Sequence, residues 1–348
     1  MEITAPSAPP FDIDRLGAFL RRTLPDAAGP LRLTPIVGGQ SNPTYALDLG
    51  ADRYVLRKQP EGTLLPSAHR IDREARVMQA LGGTGVPVPK IVLFHDDPDL
   101  LGTPFYLMER VEGRVFHDGA LPGLVPAERR AVYLAMAETL ARLHAVVPDA
   151  VGLGDFGRPG DYFARQTERW ARQWRASPAA DTVPGLGRIA DWLGDNLPAD
   201  DGRNAVVHGD FRLGNLMIHP GEPRVVAVLD WELSTLGHPL ADLGFCCLAW
   251  HLTPDEYRGI AGLDQAALGL PSQAEFVAHY LSHAPGVGLL EPVHLVFALF
   301  RFAVIFLGIA DRARAGTATA GNAGEVGRLA RNCADHALEM IVAGGTRS

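Results

Sequence analysis

The sequence predicts an α+β fold of two lobes: a small N-terminal lobe with an antiparallel sheet plus a helix, and a larger, mostly helical C-terminal lobe. Three observations predict it. The chain is 348 residues long, enough for two cores. Apolar residues alternate with period two in the runs before about residue 111, with Gly turns between them, whereas helical periodicity takes over from Pro126. Between the two regimes PFYLMERVEG runs from a strand into a Gly turn, so Glu109, Arg110 and Val111 read as the connector between lobes 1–111 and 112–348.

Charge and composition narrow the partners. With a formal net charge of -8, no global field draws the chain to a phosphate backbone or an anionic membrane, so neither nucleic acid nor membrane is expected. Cys246 and Cys247 are adjacent and Cys333 stands alone, a reduced, cytoplasmic profile without a zinc-type cysteine cluster. The start, MEITAPSAPPFDIDRL, has acids and prolines where a signal peptide has basic and apolar residues. VHLVFALFRFAVIFLGIA is almost long enough to span a bilayer. Arg301 at its centre would cost about 2.5–3.5 kcal/mol there, which favours a buried helix. The sequence leaves the oligomeric state open.

Taken in order, Asp12 to Leu24 has the spacing of a short outer helix with Ile13, Leu16, Phe19 and Leu20 on one face. Two alternating strands follow around the tip Gly38, Gly39, Gln40, Ser41 and Asn42, whose backbone N–H groups are suited to cover phosphates. Lys58 ends the strand YVLRK; alternation sets Tyr54, Leu56 and Lys58 on one face and Val55 and Arg57 on the other. Lys58 is thereby able to point inward. Residues 67–81 read as a helix with Glu74 beside its apolar stripe, placed to meet Lys58 across a cleft. The backbone of Glu109 to Val111 offers hydrogen bonds to a flat heterocycle. Residues 161–174 form an amphipathic helix carrying Phe163, Trp170 and Trp174, with Arg165, Arg169 and Arg172 available as a basic face.

The stretch from Val206 to Leu243 carries the chemistry. AVVHGDF is an apolar run ending in a turn at Asp210; the residues after Asn215 and the run VVAVLD before Asp230 read as two strands joined through HPGEP. Such a hairpin brings Asn215 and Asp230 close. An amide oxygen and a carboxylate are hard ligands that suit Mg²⁺ held against phosphates. Asp210 is then placed to accept or orient the proton of an acceptor hydroxyl.

His208-Gly209-Asp210 with Asn215, then Asp230-Trp231 and Asp242-Leu243, resembles the aminoglycoside phosphotransferase family, which includes choline and homoserine kinases and shares the protein-kinase-like fold. The Asp-x₄-Asn spacing matches the kinase catalytic loop. The resemblance implies ATP and Mg²⁺, with Asp210 as catalytic base, Asn215 and Asp230 as metal ligands, and Lys58 on the α/β-phosphates paired to Glu74. It also implies that His208 orders the loop and Asp242 braces its backbone. The tip GGQSNPTY lacks the full G-x-G-x-x-G, and Asp230 is followed by Trp-Glu, with Glu232 a further metal ligand or a solvated acid.

The wording WELSTLGHPLADLGF, with the helix DYFARQTERWARQW, is closer to the kinase-like domains fused to some acyl-CoA dehydrogenases. That resemblance implies transfer of the ATP γ-phosphoryl group to a hydroxyl of a small hydroxyacyl-type metabolite. An aminoglycoside antibiotic kinase and a non-catalytic nucleotide-binding regulator are the alternatives.

Overall fold

The structure, a computed structural model, describes residues 11–24, 28–36, 42–62, 69–158, 160–315 and 323–345. The chain divides into two compact units: Met1–Glu112 with Ala227–Glu232, and Gly113–Val226 with Leu233–Ser348. A single cut at 111/112 assigns Asp230 to the helical lobe. Instead the chain returns, and Asp230, Trp231 and Glu232 belong to the first unit.

In the first unit, α1 (Ile13–Thr23) starts at Asp12, whose Oδ1 accepts from the Arg15 N–H at 3.0 Å. The strands β1 (Leu31–Pro35), β2 (Thr44–Leu49) and β3 (Asp52–Lys58) follow, then α2 (Ile71–Leu81), β4 (Ile91–His95) and β5 (Phe105–Glu109). They form an antiparallel sheet in the order β1-β2-β3-β5-β4. Gly50 makes the β2–β3 turn possible: at φ +63° a side chain there would collide with the Ala28 carbonyl. Leu16 and Leu20 of α1 are fully buried in a core with Leu47, Leu56, Phe105 and Leu107. Because alternate residues point to opposite faces, Arg57 and its cross-strand partner Tyr106 lie on the other face, where Glu74 of α2 meets them. The returning segment is anchored by the Val228 N–H on the Pro87 carbonyl at 2.8 Å, and Trp231 is buried with its indole N–H on the Val228 carbonyl.

The second unit contains β6 (Arg114–Val115), α3 (Pro126–His144), α4 (Tyr162–Arg175), α5 (Leu186–Asn196), β7 (Ala205–Val207) and β8 (Leu216–Ile218). Strand β9 (Val225–Val228), whose last two residues fall in the first unit, completes the expected hairpin, its turn closed by the His219 N–H on the Arg224 carbonyl at 2.9 Å. Strand β10 (Thr235–Gly237) pairs with β7, and α6 (Pro239–Cys247), α7 (Pro254–Tyr257), α8 (Gln265–Leu268), α9 (Gln273–His283), α10 (Pro292–Arg314) and α11 (Ala323–Gly345) follow. Pro239, Pro254 and Pro292 each open a helix, where a missing N–H costs nothing. The apolar α10 is long enough to cross a membrane, yet 83% of its apolar window is buried inside the fold, packed by α4, α5, α6 and α11. Its burial against other helices explains the sequence without a bilayer.

Candidate active site

The second unit builds the Asp210 loop. Strand β7 is wholly buried and delivers His208, also buried, to a turn at Gly209. Gly209 has φ +82°, and a Cβ there would lie 2.7 Å from the Leu233 carbonyl, so the position admits no other residue without rearrangement. Asp242, on α6, accepts the N–H groups of His208 at 2.6 Å and Gly209 at 2.9 Å. His144 Nε2 lies 3.4 Å from the same carboxylate, and its Nδ1 is 2.7 Å from the Tyr280 hydroxyl. Burial alone would raise the Asp242 carboxyl; the hydrogen bond and charge of His144, with His208, outweigh it and hold the carboxyl below its usual range. Asp242 therefore braces the loop backbone and does not face solvent.

Three further contacts fix Asp210 itself. Its N–H donates to His208 Nδ1 at 3.1 Å, Asn215 Nδ2 donates to its carboxylate at 2.7 Å and its carbonyl at 2.8 Å, and Arg212 Nε lies 3.3 Å from both carboxylate oxygens. The structure thus brings Asp210 and Asn215 together, and His208 orders the loop. On the other side, Arg301 donates to the Gly209 carbonyl, with its guanidinium 5.8 Å from the Trp170 ring and 5.9 Å from that of Phe245. In the sequence Arg301 stands out only as a misfit in an apolar helix. A lone buried Arg needs a partner, and that need was the available signal.

The first unit gathers a second polar cluster and corrects one expectation. Lys58 does not pair with Glu74: it lies on the α1 face, its Nζ bonded to Glu61 at 2.9 Å and the Leu101 carbonyl at 3.0 Å, and 5.2 Å from the Phe11 ring. Arg57 takes that place. Its Nε lies 2.8 Å from Glu74 Oε2, and its NH2 group 3.3 Å from Asp230 Oδ1. Glu74 also accepts from the Tyr106 hydroxyl at 3.0 Å and from Asn42 Nδ2 at 2.7 Å, and Asn42 is in turn 3.1 Å from His69 Nδ1. Burial raises the Glu74 carboxyl, opposed by Arg57 and Tyr106. Burial would lower the Arg57 guanidinium, but Glu74, Tyr106, Asp230 and Glu232 together raise it, so it stays charged.

Asp230 adopts φ +65°, a left-handed conformation that Asp tolerates better than most residues. Glu232 is half-buried and adds to the negative field around Arg57. The Glu109 N–H donates to the Lys90 carbonyl at 2.9 Å. Gly38, Gly39, Gln40 and Ser41 lie outside the described residues. On α4, Phe163 and Trp170 are core residues, Arg172 sits 3.8 Å from Glu168 on the surface, and Arg165 donates to the Gly160 carbonyl.

A cleft in the second unit adjoins the loop. Arg212, Leu213 and Gly214 line it with His117, Tyr133, Met136, Phe245, Leu248, Leu252, Tyr257, Arg258 and Phe302. Burial and the neighbouring Arg258 and Arg212 hold His117 below its usual value, in the neutral form at pH 7.

Residues 32–277, well over half of the chain, match the phosphotransferase enzyme family known as APH. The chain belongs to that family. Acyl-CoA dehydrogenase family member 10 of Mus musculus is 42% identical over 340 residues, which cover 96% of this chain and 31% of that protein, so the chain spans under a third of that relative's length. A candidate aminoglycoside phosphotransferase from Ralstonia eutropha jmp134 is 44% identical with a TM-score of 0.86, covering 96% of this chain and 99% of that one. A thermostable mutant of aminoglycoside phosphotransferase APH(4)-Ia, crystallised as a ternary complex with AMP-PNP and hygromycin B, shares the fold at 16% identity, TM-score 0.60 and coverage of 93% and 97%.

The brace makes a testable pH prediction. Because the folded Asp242 carboxyl is depressed, its stabilisation is fully present above the ordinary value of 3.8 and is lost as pH falls through the folded value. Asp242→Asn is expected to cost about 3 kcal/mol at pH 7. Denaturant titrations from pH 7 downward should show the gap to wild type constant above the ordinary value of 3.8 and narrowing only below it; a gap that narrows between pH 7 and 5 would remove Asp242 from this role.

Proposed function

We propose that the chain transfers the γ-phosphoryl group of ATP to a hydroxyl of a small, anionic, partly apolar molecule of the hydroxyacyl type. The observation that carries this reading is the Asp210 carboxylate, held by Asn215 and Arg212 on a loop braced from both sides, with Arg212 also lining the cleft. Little covalent chemistry is required of the protein in phosphoryl transfer, so positioned groups are what the reaction needs. Asp210 accepts the proton of the acceptor hydroxyl. Arg57 supplies the cation for the α/β-phosphates, the role expected of Lys58, because it is the guanidinium held by Glu74 and near Asp230. The Glu109 carbonyl and the Val111 N–H hold the heterocycle, since the Glu109 N–H already has a partner.

Asn215 and Asp230 are the Mg²⁺ ligands in this reading. Their chemistry fits: the Asn215 NH₂ is engaged by Asp210, which leaves its carbonyl oxygen as the ligand atom, and Asp230 has a second oxygen beyond the one facing Arg57. Bound Mg²⁺ would neutralise charge on the phosphate oxygens.

The acceptor class follows from the cleft. Its lining has two guanidiniums and a neutral imidazole among apolar side chains, and none of the described residues lining it is acidic. A carboxylate, thioester-linked phosphate or similar anion with an apolar arm suits such a lining. The acyl-CoA dehydrogenase name of the mouse relative supports the same chemical class. An aminoglycoside is the second reading, favoured by the 44% identity to the Ralstonia eutropha protein, but a polycation in this cleft would face like charge.

Asp210→Ala is expected to lower acceptor-dependent ATP turnover by about 10²–10⁴; turnover within a few-fold of wild type rejects Asp210 as the base. In calorimetric titration with Mg-ATP, Arg57→Ala should weaken binding at least about tenfold, or roughly 1.4 kcal/mol. Lys58→Ala, checked for folding by circular dichroism, should change affinity much less. The reverse order would return the phosphate-binding role to Lys58.

A further inference from the structure

Helices α3 and α9 face each other with three potential metal ligands that the proposed reaction does not use. Glu138 on α3 and His279 and His283 on α9 each offer a ligand atom, and these atoms all lie within 4.8 Å of one another. His279 and His283 are four residues apart on one helix, which sets their rings on successive turns, 4.6 Å between centroids. The ring of His283 is already held: its Nδ1 lies 2.9 Å from the His279 carbonyl and 3.0 Å from the Ser282 hydroxyl. A ligating histidine typically makes this kind of bond through its other nitrogen. Arg142 donates to Glu138 Oε1 and fixes the carboxylate.

We propose that Glu138, His279 and His283 bind a divalent transition ion of the zinc class, tying α3 to α9, with water completing the coordination. Two imidazoles and one carboxylate select Zn²⁺, Ni²⁺ or Cu²⁺ over Mg²⁺ and Ca²⁺, which prefer oxygen. Ligand atoms at about 2.0–2.1 Å from a tetrahedral ion stand roughly 3.4 Å apart. Closing to that distance moves the side-chain tips by about 1–1.5 Å, within reach of rotamer adjustment for half-buried Glu138 and His279 and exposed His283. The same two helices carry His144 and Tyr280, whose 2.7 Å contact stands behind the Asp242 brace, so the ion would lock the helix pair that supports the loop.

The test uses the full chain stripped with EDTA and titrated with Co²⁺, read by its visible absorption, and with Zn²⁺ by calorimetry. Wild type and Asp230→Ala, which alters the proposed magnesium site, should both bind one transition ion here. His283→Ala should weaken that binding at least about tenfold, and His279→Ala/His283→Ala should abolish the Co²⁺ bands. Zn²⁺ should raise the melting temperature of wild type, raise that of His283→Ala less, and leave that of the double variant unmoved. Because His283 is exposed, its variant is expected to fold, which circular dichroism checks. Co²⁺ bands and Zn²⁺ affinity unchanged in the double variant would overturn the site, whatever the outcome for phosphoryl transfer.

Discussion

One buried carboxylate, Asp242, receives two consecutive backbone N–H groups, those of His208 and Gly209, and the loop chemistry depends on that convergence. A left-handed glycine turn directly after a buried strand leaves its amides without strand partners, and buried amides left unpaired are costly. Asp242 pairs them from one side and Arg301 takes the Gly209 carbonyl from the other. Each of these charged groups is in turn supplied with its own partners: His144 and Tyr280 behind Asp242, the Trp170 and Phe245 rings against Arg301. The polar network is therefore satisfied in layers, and its product is a fixed orientation for Asp210.

The first unit solves a similar problem differently. Glu74 is buried, and a buried carboxylate persists only with donors around it. Tyr106 of β5 and Asn42 of the segment before β2 donate to it, and the Arg57 guanidinium of β3 pairs with it by charge. Arg57 also reaches Asp230, so a residue that enters this unit only through the returning segment is joined to the sheet by charge.

Much of this was legible in the residues. Asp210, Asn215 and the hairpin after them are encoded by an apolar run, a Gly turn and a short connector, all local signals. The Asp242 brace was legible as an acid among apolar neighbours, a position that burial must satisfy. Arg57 and Lys58 show the limit. Period-two alternation separates them onto opposite faces but is symmetric, and which face meets α2 is decided by α1 burying Leu16 and Leu20 on the other. The roles of Arg301 and of the return of Ala227–Glu232 to the first unit are long-range facts with no local pattern. Arg212 was hidden for a simpler reason: an Arg two positions from an aspartate looks like an ordinary loop charge until its contacts with Asp210 and the cleft are seen.

In the proposed reaction, Arg212 and Arg258 of the cleft would favour an anionic acceptor over a polycation. The most direct measurement is acceptor-dependent ATP consumption by the purified chain, with product phosphorylation followed by ³¹P resonance, across hydroxyacyl-CoAs, simple hydroxy acids, amino alcohols and aminoglycosides. Anionic hydroxylated acceptors are expected to be phosphorylated with the highest kcat/KM and aminoglycosides to give background rates. Efficient phosphorylation of an aminoglycoside, or ATP binding with no turnover on any member of the panel, would contradict the proposed reaction.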